Sequence, residues 1–123
     1  HWGRIEASRG GKDSLYERVG ETFANWGIST LKSMLNAKEA KGEFEIWASG
    51  GVRTGLDAAK LLAMGAKVVG FAQPVIKAAM VGEAALHQWM DQIEFELKVA
   101  MFCTGCQSLQ KLNQKGVWVW KQQ

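Results

Sequence analysis

The stretch Ser49-Gly50-Gly51-Val52-Arg53-Thr54-Gly55 limits what this chain can fold into more than any other. Before it, Phe44, Ile46 and Ala48 alternate with Glu43, Glu45, Trp47 and Ser49, the period-two pattern of a strand over Glu43 to Ser49. After it, Leu56 to Met64 is rich in Ala, Leu and Lys and is closed by Gly65, which reads as a helix with its stop residue in place. Lys67 to Ala72 is a second apolar strand. Two strands joined through one short helix must be parallel neighbours, and such a crossover is right-handed by rule. The chain is therefore α/β, built around one βαβ unit.

The flanks of that unit read as helical. A short helical start is expected over His1 to Ala7, a loop over Ser8 to Ser14 with Gly10 and Gly11, and a helix from Leu15 to about Ala24. Gly27 stops that helix. Ser29 or Thr30 can cap the next, in which Leu31, Met34 and Leu35 share a face and which Gly42 ends. Downstream, Pro74 presets the first turn of a short helix to about Met80, and Gly82 opens the longest helix, to about Thr104 with Gly105 as its cap. Leu86, Trp89, Met90, Ile93, Leu97, Ala100 and Met101 form an apolar stripe on it; Phe95, Val99 and Phe102 form a second. Two apolar faces require two packing partners, so a larger domain or a partner subunit is implied, and a homo-oligomer is expected. Ser108 to Leu112 reads as a last helical turn or two, followed by an apolar tail over Val117 to Trp120 with no identified place to bind.

Length and composition exclude several classes. At 123 residues and 13.6 kDa the chain has room for one domain, not two, and is too short for a complete large barrel. With 47% hydrophobic and 22% charged residues it carries ordinary material for a core. The net charge of +3 comes from interspersed signs rather than a basic run, which argues against nucleic acid as a partner. Apolar runs are broken by charged residues too early for a membrane span. The chain opens on His1 without a leader pattern, so this start reads as a cut rather than a targeting signal, and two cysteines among six Trp and five Met suggest a cytoplasmic protein.

A glycine-rich turn between a parallel strand and a helix offers a specific chemistry. The first amides of a helix lack partners within it and sit at the positive end of its dipole, so a loop exposing them can hold a phosphate. Gly50 and Gly51 allow close backbone approach, and Arg53 can add charge and paired donors. In eight-stranded α/β barrels the phosphate site is built by the loops after strands seven and eight, the second of which begins a short helix. Both loops are present: Gly51 to Arg53 after the first strand, and Ala72 to Gln73 before Pro74. Taken alone, the glycine pair could equally form a plain tight turn; the second loop favours phosphate.

The stretch Ala48 to Lys60, followed by Ala63-Met64-Gly65-Ala66, resembles the flavin-phosphate segment of FMN-dependent barrels, which α-hydroxy-acid oxidases and inosine-monophosphate-dehydrogenase-like enzymes share. Trp2-Gly3-Arg4-Ile5-Glu6, the segment Phe23 to Thr30 and the segment Glu96 to Gly105 are similar to type 2 isopentenyl-diphosphate isomerase. That resemblance implies the C-terminal part of a (β/α)8 TIM barrel, with 1–42 as the helical segment after strand six, 43–72 as the βαβ unit with the phosphate loops, and 73–123 as the C-terminal helices and tail. It implies interconversion of isopentenyl and dimethylallyl diphosphate with reduced FMN, magnesium for the substrate diphosphate and NADPH to keep the flavin reduced. Gly50, Gly51, Val52, Arg53, Ala72 and Gln73 are the implied FMN-phosphate residues, the first loop acting chiefly through backbone amides; Gln73 stands where Arg is often found. The family's catalytic and metal-binding residues lie on earlier strands, so none is assigned here, and this portion is expected to be inactive alone.

Other readings are another FMN barrel, such as an α-hydroxy-acid oxidase, which needs a catalytic His upstream where only His1 precedes the loop, and a non-catalytic phosphate-binding half-barrel module. Cys103 and Cys106 form a C-x-x-C at the C-terminal end of a helix, where the dipole opposes a thiolate, and a zinc site would need two more ligands from His1 and His87. They read as packing residues. His87 reads as solvated, the tryptophans as core or subunit contacts, and Lys98, Lys111, Lys115 and Lys121 as a solvated surface.

Overall fold

The computed structural model describes residues 5, 7, 9–12, 14–114 and 117–119. In chain order these form α1 (Leu15–Thr22), α2 (Thr30–Glu39), β1 (Trp47–Ser49), α3 (Gly55–Ala63), β2 (Val68–Gly70), α4 (Gln73–Val81), α5 (Glu83–Cys103) and α6 (Leu109–Leu112). Ahead of α1, Ile5, Ala7 and Arg9 are helical, so helix reaches into the expected Ser8 to Ser14 loop. Trp2, Gly3, Arg4 and Glu6 of the family-like opening segment lie outside the described residues, as do His1, Lys115, Trp120 and Lys121.

The parallel βαβ unit is present, with Trp47 opposite Val68, Ala48 opposite Val69 and Ser49 opposite Gly70. Both strands are shorter than their periodicity suggests. Only the Lys67 amide, donating to the Ile46 carbonyl at 2.8 Å, extends the pairing backward. Phe44, 51% exposed, finds no core to face, so alternation over Glu43 to Ile46 does not become a strand. Ala48 is buried against the helical layer, while Trp47 and Val68 leave the opposite face of the sheet open.

The helices start and stop for local reasons. The Ser29 hydroxyl accepts from the Lys32 amide, which makes Ser29 the cap of α2 and frees Thr30 for a longer-range bond. That helix ends at Glu39, before Gly42. Past α3, the Gly65 amide donates to the Leu62 carbonyl and the Ala66 amide to that of Leu61, the paired bonds of a Schellman stop; Gly105 and Cys106 repeat the pattern on Phe102 and Met101 at the end of α5.

Two clusters make the core. Met34, Ala48, Val52, Leu61, Met64 and Ala66 form the one beneath the sheet, and Ala63, Cys106 and Leu112 the one between α3, α5 and α6. Trp118 packs on both, with the Lys38 ammonium 5.2 Å from its ring centre, so the apolar tail has a binding place after all. On α5 the first stripe is half-buried apart from Met90, whereas Phe95, Val99 and Phe102 remain exposed, Phe102 at 86%. Among the described residues no helix is long and apolar enough to cross a membrane.

Candidate phosphate site

Chain direction in a parallel pair brings the ends of both strands to one rim, and the turns that leave them face each other there. Gly50, Gly51, Val52 and Arg53 after β1, and Ala72 and Gln73 after β2, line one cleft of about 570 Å³. All six sequence-derived site residues are thus brought together. Ser49 and Gly70 form the floor between them, and the Ser49 hydroxyl donates to the Gly70 carbonyl at 3.3 Å, pinning the two strand ends. A Cβ on Gly70 would crowd that hydroxyl at 3.2 Å.

Gly50 and Gly51 take φ values of +104° and +74°, left-handed backbone that side-chain-bearing residues avoid. The turn is held from behind: the Thr30 hydroxyl donates to the Gly50 carbonyl at 2.7 Å, fixing the start of α2 to it. In a trans peptide the Gly51 amide points away from that carbonyl. The amides of Gly51 and Val52 have no hydrogen-bond partner among the described residues, and a Cβ on Gly51 would meet nothing within 4 Å.

The two helix N-termini at the cleft differ. That of α3 is closed by carboxylates: Asp57 accepts from the Arg53 amide at 3.1 Å and the Thr54 amide at 3.2 Å, the Thr54 hydroxyl accepts from the Asp57 amide, and Glu96 of α5 accepts from the Gly55 amide at 2.6 Å. Among the described residues, the amides of Arg53, Thr54 and Gly55 are therefore taken, while those of Gly51 and Val52, like that of Gly50, remain for an anion, and Arg53 contributes its side chain. That of α4 begins at Ala72 with no side-chain cap and carries Pro74, which has no amide hydrogen, in its first turn. Among the described residues lining the cleft, Arg53 is the one charged side chain. Unpartnered amides, an uncapped helix start, one guanidinium and a bare glycine suit a phosphate monoester.

The Thr54-x-x-Asp57 spacing, passed over among the sequence expectations, is a capping signal that could have found this pair, whereas no local signal announces the reach of Glu96, 41 residues from Gly55. Partial burial raises the Asp57 carboxyl, but the Arg53 amide, the Thr54 hydroxyl and amide, and the Lys60 charge outweigh it and hold the group below the ordinary carboxylate range. A lowered folded-state pKa contributes stability that is present above the unfolded value of about 3.9 and is lost as pH falls through the folded value. The stability gap between the native chain and Asp57→Asn is therefore expected to close below about pH 4, which acid-unfolding curves of the two measure.

A second cleft, of about 470 Å³, backs onto Gly50 and Gly51 and is walled by Ala24 to Thr30, so two of the family-like segments meet behind the turn. Among the described residues no three His, Cys, Asp or Glu side chains gather as a metal site; Cys103 is exposed, Cys106 buried, and both are free. His87 is exposed beside Glu83.

Residues 24–119 match the family described as FMN-dependent dehydrogenase. Proteins named isopentenyl-diphosphate delta-isomerase are similar to the chain: 52% identical in Bdellovibrio bacteriovorus over 95% of this chain and 34% of the relative, 54% in Legionella pneumophila strain Corby over 94% and 34%, and 40% in a Synechococcus strain over 94% and 33%. The chain spans about a third of the length of the curated relatives it matches.

Proposed function

We propose a function from one premise: the chain belongs to the FMN-dependent dehydrogenase family. Within it, the chain is the C-terminal part of a (β/α)8 barrel, with 1–42 following strand six, 43–72 carrying the phosphate loops and 73–123 forming the C-terminal helices and tail. It serves an isopentenyl-diphosphate isomerase, as the names of its relatives suggest; such an enzyme would interconvert isopentenyl and dimethylallyl diphosphate, and we place it in the cytoplasm. What supports this reading is that loops from two adjacent parallel strands line one cleft, where the amides of Gly51 and Val52 have no partner among the described residues and the uncapped start of α4 lies across from them. The other FMN barrels keep the same phosphate chemistry, but the relatives' names favour the isomerase.

Within the proposal each residue has one task. Gly51 and Val52 donate backbone hydrogen bonds to the phosphate of FMN, and Gly50 supplies the turn that aims them. Arg53 offers charge from its guanidinium. Ala72 and Gln73 close the opposite side with the positive end of α4, where a neutral Gln73 leaves Arg53 as the cation among the described residues of the cleft. Reduced FMN, when bound, supplies the ring at which a proton is moved onto and off the allylic carbon framework. Magnesium on the substrate diphosphate and NADPH as the flavin's reductant belong to residues beyond this chain. The open face of β1 and β2 and the exposed Phe95, Val99 and Phe102 are surfaces that the remaining strands and a second subunit of a homo-oligomer would cover.

Arg53→Ala, in the protein expressed from its whole reading frame, is expected to lose FMN on dialysis several times faster than the native protein. Flavin absorbance of the retained fraction measures it, and unchanged occupancy would contradict the assignment.

A further inference from the structure

Glu96 stands out as a carboxylate that pairs with no Lys or Arg among the described residues. One oxygen accepts from the Gly55 amide at 2.6 Å, the other from the Gln92 side-chain amide at 2.8 Å. Its charge is thus aimed at the positive end of α3, the short charge-assisted bond favoured there. The contact depends on Gly55: a Cβ there would run into the backbone of α5, 2.8 Å from the Leu97 amide nitrogen, and 2.6 Å from Glu96 Cβ. Sequence-distant α5 is thereby bolted to the residue immediately after the phosphate loop.

We propose that Glu96 is a positioning residue for the phosphate site. With Asp57 it closes the amides of Arg53, Thr54 and Gly55 to any other anion. A phosphate entering the cleft is then confined to Gly51, Val52 and the start of α4 and cannot slide onto α3. Glu96 also fixes where the loop ends, and so the direction in which the Gly51 and Val52 amides point. Gln92 keeps the carboxylate in place from its own helix.

This inference rests on the FMN-phosphate reading, and the test separates the two. Dissociation constants for FMN and for riboflavin, which lacks the phosphate, are measured on the native protein from its whole reading frame, on Glu96→Ala and on Glu96→Gln. The native protein is expected to prefer FMN strongly. Glu96→Ala should lose about tenfold of that preference, the scale of one hydrogen bond to a charged group, with riboflavin binding unchanged. Glu96→Gln keeps an acceptor oxygen and should recover most of it. If Glu96 merely packs two helices together, both ligands weaken equally in Glu96→Ala, and that result overturns the proposal, as does an undiminished preference. A native protein that binds both ligands alike overturns the phosphate reading itself.

Discussion

Replacing Gly51 with Val is expected to strip flavin from the protein while leaving its fold in place. At φ +74° a β-branched residue bears the left-handed penalty of about 1–2 kcal/mol, which a folded domain can absorb. No protein atom obstructs the new side chain, because a Cβ at this position has nothing within 4 Å. The valine would therefore be accommodated in open space beside the loop, and relief of its backbone strain would rotate the adjoining amides away from the phosphate proposed to lie there. Losing two hydrogen bonds to a charged group, at about 1.5 kcal/mol or more each, weakens FMN a hundredfold or more. Arg53→Lys, which keeps the charge and loses only the planar pair of donors, should cost far less. Equilibrium titration of both variants with FMN, alongside their thermal unfolding, gives the comparison. Equal affinities would mean that the glycines serve a plain turn.

Gly55→Ala is expected to behave in the opposite way, costing the fold first and the flavin as a consequence. The added methyl group meets the Ile93 carbonyl oxygen and the Leu97 amide nitrogen, both backbone atoms of α5. No side chain can swing aside to relieve them. The two helices must separate, which breaks the Glu96 bond to residue 55 and loosens the second core cluster, where Ala63 of α3 is buried beside the half-buried Leu97 and Met101 of α5. Overpacking of this kind costs about 1–3 kcal/mol or more, enough to lower the melting temperature by several degrees. A melting temperature within a degree of the native value would show that the helices have more slack than their spacing allows.

Much of this architecture was readable from local signals. Gly65 and Gly105 ended helices where they stand, Pro74 opened α4, and the alternation before Ser49 with the apolar run after Lys67 gave the parallel pair. Each depends on chemistry within a few residues of the element it controls. The strand lengths were not readable, because alternation states which face a residue would take and not whether a core exists to receive it. Phe44 has the pattern and lacks the partner. The six cleft residues came from the sequence, yet the division of labour between the two helix starts did not. That α3 is sealed by carboxylates and α4 left open depends partly on Glu96, whose role appears only once α5 lies across Gly55.

A crystal structure of the flavin-loaded protein tests the central claim most directly. The account predicts phosphate oxygens within about 3 Å of the Gly51 and Val52 amide nitrogens, with the start of α4 facing them across the cleft. A phosphate bound elsewhere, with those two amides turned to water, would contradict it.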